Sequence, residues 1–280
     1  MKNILIPTDF SENAWNALLY GISFFKKTHC TFHIVHINSV NTNVSGETAM
    51  FISPEVLEES LLVESKEKLH KLMSKIEHLP LNVKHEFKPL ALYGFLTDHI
   101  KSQVKEKQID LIIMGTKGAT GLKSVSIGSN TGDVITKVPC TVLAVPEHAV
   151  YSSIKEIGFP SDFQVTYDHK ILETLKDVLL LKKSALRLLY ISLRNEKLSP
   201  IQENNKRILM EHYKDIECSF HVVTGKKIDD SIQCFTESRN LDMLVMVAKN
   251  LNFLERILFR PTVERISYHT KVPFLVIHES

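Results

Sequence analysis

Two turns of small residues in one strand–loop–helix unit have the composition of a phosphate cradle. The first is Met114-Gly115-Thr116-Lys117-Gly118, directly after the apolar run Ile109-Asp110-Leu111-Ile112-Ile113. The second is Gly128-Ser129-Asn130-Thr131, which opens a helical pattern reaching Lys137. Glycine lets backbone N–H groups come close to an anion, and a helix N-terminus adds partial positive charge. The spacing reads G-x2-G-x9-G-S. It differs from the dinucleotide fingerprint, with its tightly spaced glycines, and from the Walker A loop, which ends in Gly-Lys-Ser/Thr. A single glycine in such a connection is an ordinary turn residue. Two glycine turns accompanied by Lys117 and Ser129 point instead to an anion site.

The amino terminus supplies a second group of candidates. The apolar strand Asn3-Ile4-Leu5-Ile6 ends in Pro7-Thr8-Asp9-Phe10-Ser11. A helix follows with Trp15, Leu18, Leu19, Ile22 and Phe25 on one face. Asp9 and Ser11 both suit a helix cap. Asp9 either does no more than cap, or accepts a hydrogen bond from a ligand at the carboxyl edge of the sheet, where open parallel sheets bind ligands.

Other chemistry is weakly signalled. Thirteen histidines show neither H-E-x-x-H nor a Cys/His zinc spacing. His33 and His36 share a strand but point to opposite faces and read as packed or surface residues. There is no G-x-S-x-G nucleophile elbow. Ser129 has no evident His–Asp pair beside it and reads as a phosphate-contacting hydroxyl and cap. No catalytic residue and no metal ligand is assigned.

These residues need a scaffold, and the pattern describes one. The first half predicts strands over 3–7, 31–37, 82–88, 110–114 and 140–145, with helices over 12–26, 54–76, 95–106 and 128–137. The second predicts strands over 154–160, 185–191, 218–223, 242–247 and 272–278, with helices over 165–181, 199–213, 228–239 and 261–269. Such alternation means an α/β fold with a doubly wound parallel sheet in each half. Residues 146–152 form the linker between domains 1–147 and 153–280, and residues 38–53 a polar loop near the site.

Composition bounds the function. The chain has 280 residues, 44% of them hydrophobic, and a formal net charge of +2, enough for two cores. It has no basic tail or aromatic-laced basic stripe, so nucleic acid is not an expected partner. Cys30, Cys140, Cys218 and Cys234 form no C-x-x-C pair, which fits a reducing compartment. No run is apolar enough for a membrane span, and a strand begins at once where a signal peptide would lie. The expected location is cytoplasmic.

The motifs together resemble one family. Ile4-Leu5-Ile6-Pro7-Thr8-Asp9-Phe10-Ser11-Glu12, the strand ending His36-Ile37, and Met114-Gly115-x-x-Gly118-x9-Gly128-Ser129 are similar to the universal stress proteins, in particular their ATP-binding branch. The resemblance covers the first half in detail and the second in outline. It implies Rossmann-like domains of the adenine nucleotide alpha hydrolase type in tandem, and a nucleotide-binding stress-response or regulatory protein. It implies ATP, with Mg²⁺, as the ligand. Pro7, Thr8 and Asp9 would line the adenosine side, with Asp9 near the ribose hydroxyls and Ile37 near the adenine. Met114 and Gly115 would form the base of the loop, and Gly118 would let it meet the phosphates. Gly128, Ser129, Asn130 and Thr131 would hold the phosphates. Lys117 stands where the family often has His, and Asn130 replaces a more usual apolar residue. The alternative is a slow ATP hydrolase or adenylate-handling enzyme on the same fold. Phosphoryl transfer needs concentrated charge stabilisation, and the one further carboxylate near the glycine loops is Asp133, inside the helix and facing solvent, which argues against efficient turnover.

The second half repeats the first at a period of roughly half the chain. Pro160-Ser161-Asp162-Phe163 echoes Pro7-Thr8-Asp9-Phe10, and Lys271-Val272-Pro273 echoes Lys137-Val138-Pro139. The copy fails at the glycines. Val247-Ala248-Lys249-Asn250 and Arg260-Pro261-Thr262 lack them, which predicts a degenerate site. Each half ends in an apolar strand whose edge needs a partner. The two are expected to pair as an internal pseudo-dimer, with any homodimer optional.

Overall fold

The computed structural model describes residues 1–38, 54–116, 129–193, 196–248 and 272–278. The first half runs β1 (Lys2–Pro7), α1 (Glu12–Phe24), β2 (Cys30–Asn38), α2 (Pro54–Glu77), β3 (His85–Tyr93), α3 (Leu96–Glu106), β4 (Leu111–Gly115), α4 (Ser129–Lys137) and β5 (Val142–Val145). The second runs β6 (Glu156–Pro160), α5 (His169–Lys182), β7 (Ala185–Ser192), α6 (Pro200–His212), β8 (Cys218–Thr224), α7 (Ile228–Arg239), β9 (Met243–Val247) and β10 (Phe274–Ile277). The predicted helix over 261–269 lies outside the described residues.

The central strands read as continuous apolar runs because both faces are covered. Ile4, Ile6, Phe32 and Ile34 pack with Leu18 and Phe24 of α1 and Leu69 of α2. Leu5, Val35, Ile112 and Met114 point the other way, onto Ile100 of α3 and Val134 of α4. The same division recurs in the second half, with α5 and α6 on the first face and α7 on the second.

The ten strands form one sheet in the order β3-β2-β1-β4-β5-β10-β9-β6-β7-β8. Each half is parallel. The seam is antiparallel, pairing Phe274 with Ala144, Leu275 with Leu143 and Val276 with Val142. The two terminal strands thus satisfy each other's edges, and the mirrored order gives the chain a pseudo-two-fold axis at the seam. Because β5 and β10 run oppositely, the carboxyl edge of one half adjoins the amino edge of the other.

Two predicted boundaries shift for local reasons. The third strand was expected over 82–88 and spans His85–Tyr93. Asn82 makes a turn instead: its Oδ1 accepts from Lys84 N and its carbonyl from His85 N. The strand then continues through Pro89, which it tolerates as the outermost strand of the sheet. The first helix of the second half was expected from residue 165 and begins at His169, because Asp168 is the cap, accepting from Ile171 N at 2.9 Å. Val165 and Thr166, both β-branched, precede it.

The linker is not a loose tether. Asn16 Nδ2 on α1 donates to the carbonyls of Pro146 (3.2 Å) and Ala149 (3.0 Å). Ala149 and Ile154 are buried, and Tyr151 meets Tyr20 edge-on at 5.2 Å between ring centroids. Lys182 reaches across from α5, its Nζ 3.4 Å from the centre of the Phe24 ring and bonded to the Phe24 carbonyl and the Tyr151 hydroxyl. Among the described residues no helix is long and apolar enough to cross a membrane.

Candidate functional site

In the order β3-β2-β1-β4-β5, the chain winds outward in both directions from between β1 and β4. That switch point leaves a crevice at the carboxyl ends of β1, β2 and β4, where α/β sheets bind ligands. The sequence candidates gather there. Pro7 ends β1, Ile37 lies one residue before the end of β2, Met114 and Gly115 end β4, and Ser129 opens α4. Lys117, Gly118 and Gly128 lie outside the described residues, as does most of the polar loop expected over 38–53.

The turn after β1 is held from several sides. Thr8 N donates to Val35 O of β2 (2.8 Å), and Thr8 Oγ1 accepts from Phe10 N (3.0 Å). Phe10 has a left-handed φ of 64°, an uncommon conformation for a bulky side chain. His36 stabilises the turn: its Nδ1 hydrogen-bonds Thr8 O at 2.7 Å and its ring lies 4.5 Å from that of Phe10. The sequence pattern reads His36 as a packed or surface residue and does not show what it positions. The cap of α1 is Ser11, which accepts from Ala14 N, while Asp9 Oδ1 accepts from the Ser11 N–H and hydroxyl. Asp9 therefore braces the cap residue through one oxygen and remains exposed.

Across the crevice, Gly115 has a steric reason to be glycine. A Cβ there would stand 2.6 Å from Asn13 Nδ2 and 2.7 Å from Asn13 Cγ. Asn13, in the first turn of α1, is 5% exposed and packs directly on the β4 terminus. The signal for it was an asparagine at a buried helix position. Thr131 is 3% exposed and its hydroxyl donates to Gly115 O at 2.7 Å, so that proton is committed to locking α4 onto β4. Ser129 and Asn130, by contrast, are exposed at the helix start, where the first N–H groups have no intrahelical acceptor. Asp133 pairs with Lys137 at 2.8 Å and is 48% exposed.

The second half reproduces the first turn. Ser161 N donates to Leu189 O, Ser161 Oγ accepts from Phe163 N, Asp162 Oδ1 accepts from Gln164 N, and Phe163 has φ 53°. What surrounds that turn differs. The Ser161 hydroxyl is shared with Tyr167 at 2.7 Å, and burial pushes the Tyr167 phenol up to about 12. Gln202 and Asn205 of α6 take the carbonyls of Asp162 and Phe163. Val247 stands opposite Ile277 as Gly115 stands opposite Val145. The remaining residues of the altered loops, 249–271, are not described.

A model of the universal stress protein family matches residues 1–146 and again 163–278. The chain belongs to that family. A universal stress protein of Methanocaldococcus jannaschii is 31% identical over 144 residues, covering 51% of this chain and 81% of that one. A universal stress protein of Synechocystis is 21% identical over 292 residues, spanning 98% of this chain and 99% of the other. The crystal structure of a universal stress protein from Archaeoglobus fulgidus superposes with a TM-score of 0.68 at 20% identity, covering 99% and 98% of the two chains, which establishes the shared fold. Two universal stress protein units in tandem account for the mirrored sheet.

Proposed function

We propose that this universal stress protein binds one adenine nucleotide, ATP with Mg²⁺, at the carboxyl edge of its first half. The observation that carries the reading is the meeting of four elements at the switch point: the Thr8–Asp9 turn, the end of β2 at Ile37, the Met114–Gly115 terminus and the opening of α4. In this reading Asp9 accepts from the ribose hydroxyls with the oxygen that does not brace Ser11. Ile37, half-buried at the end of β2, offers apolar surface to the base, and Pro7, buried behind it, closes the end of β1 on the adenosine side. The α4 N-terminus, with Ser129 and Asn130, faces the phosphates with free N–H groups. Lys117, Gly118 and Gly128 complete the cradle, and Thr131 positions rather than contacts. The donor set suits the group: one exposed carboxylate for hydroxyls, and a helix start with hydroxyl and amide side chains for an anion.

The second half is proposed to carry no nucleotide. Tyr167 occupies the Ser161 hydroxyl, and Val247 replaces Gly115. The function is proposed to be regulatory rather than catalytic, because Asp133 is held by Lys137 on an exposed helix face. Titration of ATP into Asp9→Ala and Ser129→Ala tests the site: each should weaken binding without changing the fold. Unchanged affinity in both would place the nucleotide elsewhere. ATP turnover well below the roughly 1–100 s⁻¹ of kinases is expected, and a rate in that range that is lost in Ser129→Ala would make the protein an enzyme.

A further inference from the structure

The two sides of the seam are filled differently. On one side, residues 146–154 leave β5 and cross to β6, lying against α1 with Ala149 and Ile154 buried and Tyr151 on Tyr20. The pseudo-two-fold axis turns that course into a path from His278, after β10, across the amino ends of β5 and β4 to the start of β1. Along this path lies a cavity of about 420 Å³, within the roughly 300–1,000 Å³ of ligand sites. Its apolar lining includes Ile4, Phe24 and Leu111 from the first half and Val178 and Leu181 of α5 from the second. No described residue crosses it. At its β10 end His278 Nε2 is buried without a hydrogen-bond partner.

We propose that this groove binds an apolar peptide segment of another protein, as the groove related to it by the pseudo-two-fold axis holds residues 146–154. The related groove shows the type of occupant: an irregular segment that opens with a turn, Ala149 N donating to Pro146 O, puts Ala149, Tyr151 and Ile154 inward and is gripped through the Pro146 and Ala149 carbonyls by Asn16. The open groove has the matching apolar walls. Lys2 and Lys170 lie on the lining with Asp110 and Asp177, and Lys2 pairs with Asp110 at 3.5 Å, so the groove has no excess of one charge. An apolar segment with its own backbone groups to pair therefore fits better than a strongly charged ligand. The proposal does not depend on nucleotide binding.

The test uses the full chain and a fluorescein-labelled peptide with the sequence of residues 146–155, followed by fluorescence anisotropy. Saturable 1:1 binding is expected. Leu181→Arg should weaken it about tenfold or more, the worth of one buried leucine side chain. Leu181 is 42% exposed without a ligand, so that variant should melt at the wild-type temperature. A peptide with aspartate in place of Tyr151 and Ile154 should not bind. Three results would overturn the proposal. One is no saturable binding to the wild type. Another is equal affinity for the wild type and Leu181→Arg. The third is a wild-type dimer in sedimentation that Leu181→Arg dissociates, which would assign the groove to a second copy of the chain.

Discussion

Gly115→Ala should destabilise the protein through a single neighbouring side chain. A Cβ at this position would stand 2.6, 2.7 and 2.8 Å from Nδ2, Cγ and Oδ1 of Asn13. Relaxed contacts lie near 3.5–4.0 Å, so Asn13 must retreat by about 1 Å. It has little room to do so at 5% exposure, wedged between α1 and β4. Overpacking of this kind costs about 1–3 kcal/mol, with Tm falling by roughly 2–4 °C per kcal/mol in chains of this class. Gly115 does not have a positive φ, so alanine adds no backbone strain. With Asn13→Ala in the background the clashing atoms are gone. The second alanine should then be neutral or gain up to about 1 kcal/mol from the less flexible unfolded chain. Urea unfolding of the wild type, both single variants and the double variant forms a double-mutant cycle. The expected coupling is about 1–3 kcal/mol, with the double variant more stable than the sum of the singles. A Gly115→Ala cost that is the same in both backgrounds, or absent in the wild type, would refute the steric argument.

Thr131→Val keeps the shape of the side chain but removes the donor to Gly115 O. It should cost about 1–3 kcal/mol in urea unfolding, whereas Thr131→Ser should cost less. Burial lowers Lys182 from 10.5 to about 8 in the folded chain. Between those pH values the unfolded state holds more protons at this side chain, so the Lys182 contribution to stability should rise with pH across that window. Burial raises the thiols of Cys30, Cys140 and Cys218, which act in the opposite direction above pH 9, so the Lys182 contribution is read as a difference: from pH 7.5 to 10.5 the Tm of the wild type should gain on that of Lys182→Met. A fragment of residues 1–147 lacks β10 and leaves the β5 edge open. It should self-associate or aggregate in sedimentation, and a stable, well-folded monomer would show that the seam is dispensable.

Much of the fold was legible because buried parallel strands have to be apolar runs. Ile4-Leu5-Ile6 and Leu241 to Met246 could hardly be anything else between amphipathic helices. The misplaced boundaries trace to side-chain hydrogen bonds that periodicity does not report, namely the Asn82 turn before β3 and the Asp168 cap of α5. At the candidate site the sequence identified residue types and missed contacts between distant positions. Nothing near Asn13 says that it meets Gly115, about a hundred residues away. Nothing near Thr131 says that its hydroxyl is spent on the same residue. The linker looked like a spacer because it falls between the two halves of the repeat. Its packing depends on Asn16 and Tyr20, which read as ordinary helix residues. The repeated Pro-Thr/Ser-Asp-Phe turn proved faithful in geometry. The expected difference between the halves therefore rests on what surrounds that turn: Tyr167, Gln202 and Val247.

The central claim, one working nucleotide site in a doubled fold, is tested most directly by isothermal titration calorimetry of ATP with Mg²⁺ into the intact, nucleotide-free chain. The account predicts a stoichiometry of about one per chain, with binding lost in Gly118→Val and retained in Val247→Gly. Two equivalent sites per chain, or no binding at all, would contradict it.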